Sequence, residues 1–233
     1  DRRQRQMCIR DRLQLVEEVR LFLRNDQLFE HCLAVAKTAE QLVIDYSEKS
    51  VIVQKEKLIA KNTDENLKLI FTDGVQQKEI NQFISKSQAF VAGLMHDIGG
   101  VYPNHQRVEK AELFGIELLT EEREFPLIIH QKLSKYLARE HFKITDENIL
   151  SAIECHTTLK ENFTELDLIV FLADKISWDG GDNAPFRQGL LTALSVNLQS
   201  AALYYINFII DDGLKVAHPW LLEAKKDLEN QLS

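Results

Sequence analysis

Residues 89–100 read AFVAGLMHDIGG. The run is apolar from Ala89 to Ile98 except for His96 and Asp97, and Gly99-Gly100 closes it as a helix C-cap would. It reads as a buried helix that ends on an imidazole and a carboxylate. A carboxylate placed after VAGLM is costly to bury unless it is paired or coordinated.

The segments on either side are also helical. Leu15, Val16, Val19, Phe22 and Leu23 recur at helical spacing over Leu13–Leu23. Asn25 or Asp26 can cap a second helix that runs through Leu28, Leu33, Val35, Ala36, Ala39, Leu42 and Val43, with His31 in its first turns. After the HD dipeptide, Pro103-Asn104 opens a short helix and Pro126 suits the first position of the next. Asp146 opens the helix that carries His156, and Thr164 with Asp167 forms a capping box before LDLIVFLADKI. Gly180-Gly181 and Pro185 break the chain. A long helix is expected from there to about Ile210, and Pro219 begins a last one. No stretch alternates with period two, so the expected class is all-α, in one domain. Residues 1–12, DRRQRQMCIRDR, lack periodicity and are expected to lie outside the fold as a disordered or non-native leader.

Bulk properties narrow the function. The chain has 233 residues, 45% of them hydrophobic, enough to bury a core without disulfide staples. Its net charge of −8 argues against a nucleic-acid partner, because duplex binding needs a basic face. No apolar run approaches membrane-spanning length, so no membrane partner is expected. Cys8, Cys32 and Cys155 form an odd, scattered set that suits a reducing cytoplasm.

The chemistry lies in His31, His96, Asp97, His130, His156 and Asp174. Four imidazoles and two carboxylates can surround a pair of divalent ions. Each also has a plainer reading. A histidine on an apolar helix can be a hydrogen-bonded core residue, and His156 can stabilise a helix C-terminus. Asp174, inside VFLADKI, is harder to place without a partner. Lys175 either contacts a phosphate oxygen or snorkels to the surface. Thr157 and Thr158 either donate hydroxyls to phosphate or end their helix. Trp178 either stacks on a base or covers the core. His218 is placed to approach the pocket from outside the ligand set. His105 and His141 read as surface residues.

Taken in order, HCLAVAKTAEQL, AGLMHD, IIHQKLSKYLARE, AIECHTT, FLADKI and KVAHPWLLEA resemble the HD-domain phosphohydrolases. The finer resemblance is to the YqeK-like branch, the symmetrical diadenosine tetraphosphate hydrolases, over roughly residues 25 to 225. It implies an HD-domain helical bundle over 13–233 with an inserted helical segment at 46–88. It implies that His31, His96, Asp97 and Asp174 hold one metal, and that Asp97, His130 and His156 hold the second with Asp97 bridging. The cofactor would be two divalent or trivalent ions, iron with manganese as a substitute. The substrate would be diadenosine tetraphosphate, split to two ADP by a dimetal-activated hydroxide. Asp97 and Lys175 become the candidate catalytic side chains; Thr157, Thr158, Lys175, Trp178 and His218 become the substrate-binding ones. A homodimer is compatible with the resemblance. The chain departs from the branch at SWDGGDNAPF, where the branch carries Glu-Pro-Gly-Arg. An HD-type nucleotidase, a guanosine tetraphosphate-type hydrolase and a non-catalytic nucleotide-binding module therefore stand as alternatives.

Overall fold

A computed structural model of the chain describes residues 9–60, 85–178 and 183–233. Among these are eleven α-helices and no strand: α1 Ile9–Leu23, α2 Asp26–Ala60, α3 Lys86–Met95, α4 Asn104–Leu113, α5 Thr120–Glu124, α6 His130–Glu140, α7 Glu147–Glu154, α8 Glu165–Ile176, α9 Arg187–Val196, α10 Leu198–Asp211 and α11 Pro219–Leu232. Short 3-10 helices at Ile98–Val101 and Pro126–Ile129 precede α4 and α6. The all-α expectation holds. None of the described helices is long and apolar enough to cross a membrane.

The helix starts follow local capping chemistry. Asn25 Oδ1 accepts from Leu28 N at 3.1 Å and opens α2. Asp146 Oδ1 accepts from Asn148 N at 2.9 Å and opens α7. Thr164 Oγ1 accepts from Asp167 N while Asp167 Oδ2 accepts from Thr164 N, a reciprocal box at the head of α8.

α3 and α8 form the centre of the bundle. Every residue from Ala89 to Met95 is buried, as is every residue from Leu166 to Ala173. α2 packs on both, α7 on α3 and α8, and α10 on the far side of α8. Phe90 and Phe171 are among the largest fully buried side chains. Burying each contributes about 1.5–3 kcal/mol.

Three expectations are corrected. The first is the leader: residues 9–12 form the first turn of α1, and Arg12 binds both Glu40 carboxylate oxygens at 2.8 and 2.7 Å while lying over the Phe90 ring. Arg12 thus packs on the bundle; residues 1–8 lie outside the described residues. The second is the role of Gly99-Gly100, which do not cap α3. The helix ends at Met95 with His96 as its cap, and both glycines lie in the following 3-10 turn. Gly99 is there for space, since a Cβ on it would come 2.3 Å from the His130 carbonyl oxygen. The third is the long helix to Ile210, which is two helices. Asn197 is extended between α9 and α10, and its Oδ1 accepts from Ser200 N at 2.7 Å, a bond that competes with helix continuation. The expected insertion at 46–88 overlaps the end of α2, which runs to Ala60; residues 61–84 lie outside the described residues.

Candidate metal centre

Each of the six candidate ligands occupies a helix end or a buried helix face. His31 lies one turn into α2, and Asp174 near the C-terminus of α8. His96 caps α3, and the break there separates it from Asp97, which starts the 3-10 turn. His130 stands where a 3-10 turn becomes α6, and His156 two residues past α7. Gly93 lets α2 and α3 close together: a Cβ there would meet the Ala36 backbone at 2.8 Å.

The bundle gathers the six side chains into two adjoining triads. His31, His96 and Asp174 form one; Asp97, His130 and His156 form the other; within each triad the potential ligand atoms lie within 4.8 Å of one another. His31 Nε2 is 3.2 Å from His96 Nε2 and 3.2 Å from Asp174 Oδ1, and His96 Nε2 is 3.6 Å from Asp174 Oδ1. His130 Nε2 is 2.9 Å from His156 Nε2 and 3.4 Å from Asp97 Oδ1. The His96 and His156 rings join the triads, with centroids 4.7 Å apart.

Three rings share one hydrogen-bonding pattern. His96, His130 and His156 each donate Nδ1–H to the carbonyl three residues earlier, on Gly93, Leu127 and Ile153. A carbonyl only accepts, so the proton is on Nδ1 and a neutral ring turns a lone pair at Nε2 toward its triad. Burial pushes the His130 pKa below the usual histidine value against the opposing pull of Asp97. Burial, with His96 and His130 as neighbours, pushes His156 well below it. Burial alone would raise the Asp174 carboxyl, but the adjacent Lys175 ammonium together with His31 and His96 outweighs it and holds the group well below its ordinary range.

The triad of Asp97, His130 and His156 is therefore a cluster of acceptors, and in the other triad His96 Nε2 and the Asp174 carboxylate are acceptors. Cations fit them. At metal–nitrogen distances of about 2.0–2.1 Å, ligands at right angles lie about 3 Å apart and tetrahedral ligands about 3.4 Å apart. Four of the five spacings given, 2.9 to 3.4 Å, match that range, and His96–Asp174 at 3.6 Å lies just beyond it.

The other predicted site residues divide. Trp178 is half-exposed and lines an open cleft of about 420 Å³ with His31, Asp97 and Asp174. Thr157 Oγ1 lies 3.1 Å from His130 Nε2. Lys175 is no surface lysine: it is buried, and its Nζ donates to Asp174 Oδ2 at 2.6 Å and to the His156 carbonyl at 3.0 Å. It thus braces one ligand from each triad. Thr158 faces inward, donating to the Leu159 carbonyl at 2.8 Å and accepting from Gln131 Nε2, so its hydroxyl is used in the turn. His218 caps α11 through Trp220 N and lies 3.4 Å from Glu122 Oε1. Its polar atoms are thereby held away from the cleft. His105 and His141 are exposed, and Cys32 and Cys155 are buried free thiols whose pKa burial raises.

Sequence reasoning missed Arg107. It lines the same cleft, reached from α4, where NHQRVEK looks like an ordinary solvated helix. Nothing in its spacing marked it.

The fold and the paired triads define the class, and similarity agrees. The HD domain family matches residues 28–179, and the chain belongs to that family. It is 98% identical over 195 residues, 84% of its length, to the whole of an uncharacterized protein in the pepC 5' region of Lactococcus lactis subsp. cremoris. It is 31% identical over 135 residues, 55% of its length, to a symmetrical bis(5'-nucleosyl)-tetraphosphatase of Staphylococcus aureus, of which the alignment takes in 65%, just under two thirds. Its fold superposes with a TM-score of 0.71 on a crystal structure described as a predicted HD superfamily hydrolase involved in NAD metabolism from Clostridium acetobutylicum. That match has 23% identity and covers 94% of this chain and 97% of the other.

Proposed function

We propose that this protein is a metal-dependent phosphohydrolase acting on a nucleotide, and that its reaction is the symmetrical cleavage of diadenosine tetraphosphate to two ADP. One observation carries the reading: two triads, each of imidazoles and one carboxylate, meet beside an open cleft. The activity in the name of the Staphylococcus aureus relative supports the substrate.

In this reading His31, His96 and Asp174 would hold one cation and Asp97, His130 and His156 the other. Iron is the expected metal and manganese its substitute. Once bound, such ions supply Lewis acidity to phosphate oxygens and lower the pKa of a water. The rest falls to the chain itself. The carbonyls of Gly93, Leu127 and Ile153 fix three imidazoles in the ligating tautomer. Lys175 fixes the Asp174 carboxylate and the turn that carries His156. Trp178 offers an aromatic face to an adenine entering the cleft.

The test is metal quantification on freshly purified protein, followed by product analysis on diadenosine tetraphosphate. Near two equivalents of metal and ADP as sole product are expected. Metal-free protein, or loaded protein that leaves the dinucleotide intact, would sink the reading. The SWDGGDNAPF loop in place of Glu-Pro-Gly-Arg favours a second possibility, the same centre serving another nucleotide. A panel of nucleoside mono- to tetraphosphates separates the two.

A further inference from the structure

We propose that Arg107 is the phosphate-gripping side chain of this cleft, delivered by α4 in place of an arginine from the loop after Asp174. The proposal rests on the phosphohydrolase reading and adds the residue that recognises the anion.

Of the described residues lining the cleft, Arg107 alone carries a permanent positive charge; Asp97 and Asp174 contribute negative ones. Phosphate entering an acidic cleft needs an opposing cation from the protein wall as well as from any bound ion. Lys175 does not provide it: it is not among the residues lining this cleft, Asp174 balances its charge, and two of its three N–H groups go to Asp174 and the His156 carbonyl.

The guanidinium is held in place by the framework of the metal centre. Nε donates to the Tyr102 carbonyl at 2.9 Å and Nη1 to the Leu127 carbonyl at 2.8 Å. The Leu127 oxygen also accepts Nδ1–H of His130, so one carbonyl sets both a candidate ligand ring and the arginine. Two of the five N–H groups are used in this way. Among the described residues no carboxylate forms an ion pair with Arg107. Both Nη2 protons and one on Nη1 remain for a ligand, on a planar fork that matches phosphate oxygens. The geometry is that of a prepositioned anion clamp, fixed before substrate arrives.

Two measurements test it. The first is calorimetric binding of inorganic tripolyphosphate to manganese-loaded protein, with steady-state hydrolysis alongside. Arg107→Gln should weaken tripolyphosphate binding about tenfold to a hundredfold, the scale of a lost charge-assisted hydrogen bond. It should raise KM by a similar factor and leave kcat within about threefold, with Arg107→Lys intermediate. Affinity and KM within twofold of the parent would overturn the proposal. The second uses unmodified protein, so it holds even if the variants fold poorly. Phenylglyoxal labelling read by mass spectrometry should slow at Arg107 when tripolyphosphate is added, and not at the exposed Arg139, which does not line the cleft; equal labelling overturns the proposal. Protection of Arg107 without nucleotide hydrolysis would defeat the functional reading alone, and hydrolysis indifferent to Arg107 would defeat this proposal alone.

Discussion

His130 Nε2 and His156 Nε2 face each other at 2.9 Å, although both rings have placed their proton on the opposite nitrogen to reach a backbone carbonyl. Two lone pairs at that separation repel. The Thr157 hydroxyl can donate to His130, and His156 and Asp97 still converge there as acceptors. His130 and His156, with Asp97, would hold a divalent cation through these lone pairs and so be relieved of the repulsion. The most direct predictions follow from that contact.

Removing metal should destabilise the protein. A ligand held at 100 to 1,000 times its Kd adds about 2.7–4.1 kcal/mol. For a domain of this size that corresponds to a fall in Tm of about 5–15 °C on chelation. Differential scanning calorimetry before and after chelator treatment, with manganese added back, measures it. An unchanged Tm would mean that the triads bind nothing.

Asp97→Ala should cut metal content from near two equivalents to about one or fewer and lower phosphohydrolase activity by roughly 10²-fold or more, since each ion contributes several kcal/mol of charge stabilisation. Elemental analysis and product assays on the same preparation check both parts. Full activity in this variant would remove the bridging carboxylate from the scheme.

Stability should depend on pH in the mildly acidic range. The folded pKa values of His130 and His156 are depressed by burial, so below the ordinary histidine value the unfolded chain binds protons that the folded one refuses. Stability is therefore at its plateau above about pH 7 and falls as pH drops through about 6.5. The depressed Asp174 adds a loss only below its ordinary carboxylate range, and the raised Lys175 one only at strongly alkaline pH. Urea midpoints of chelator-treated protein at pH 5, 6, 7 and 8 give the profile. A flat line from 5 to 8 would contradict neutral buried imidazoles.

Gly99→Ala should damage the site through the backbone. The added Cβ would meet the His130 carbonyl oxygen and the Ser134 amide nitrogen at 2.3 and 2.7 Å, both main-chain atoms. A cost of about 1–3 kcal/mol or more is expected, with loss of metal as α6 is pushed away. Thermal melts and metal content of this variant, set beside those of Gly115→Ala, where a φ of 69° strains the backbone but a Cβ meets nothing within 4 Å, separate the collision at the site from a strain that leaves the metal in place.

Lys132→Met should be far more harmful than a conservative volume change suggests. Lys132 Nζ lies 2.7 Å from Glu122 Oε2 and donates to the Glu117 carbonyl, and His218 reaches the other Glu122 oxygen; all three side chains are buried. Removing the ammonium partner of this buried carboxylate, which would keep only the Leu119 N–H and His218, costs about 3–5 kcal/mol. Chemical denaturation measures it, and Lys132→Met/Glu122→Leu should recover part of the loss. A single variant as stable as the parent would show that the cluster is solvated.

Much of the bundle could be read directly from the chain. Capping residues and apolar periodicity act over three or four positions, so the starts at Asn25, Asp146 and Thr164 and the buried run before His96 were legible. The six metal-capable side chains were legible too, because a carboxylate inside VFLADKI or after VAGLM has few places to be. The reading failed where a local signal had two uses. Gly99-Gly100 looks like a helix stop, but Gly99 is small because another helix passes over it. Asn197 looks like one more polar residue on a long helix, but its side chain caps a new one.

What the sequence determined alone is the list of helices and the kinds of atoms available for chemistry, since both are set by short-range sterics, hydrogen bonding and side-chain type. Only the tertiary structure decided which of those atoms meet. The two triads draw on residues up to 143 positions apart, from His31 to Asp174. Arg107 joins the cleft because the carbonyls of Tyr102 and Leu127, one of them twenty residues away, happen to point at it. Such convergence depends on how close the helices can pack, through small residues such as Gly93 and Gly99, and a one-dimensional pattern carries no record of that distance.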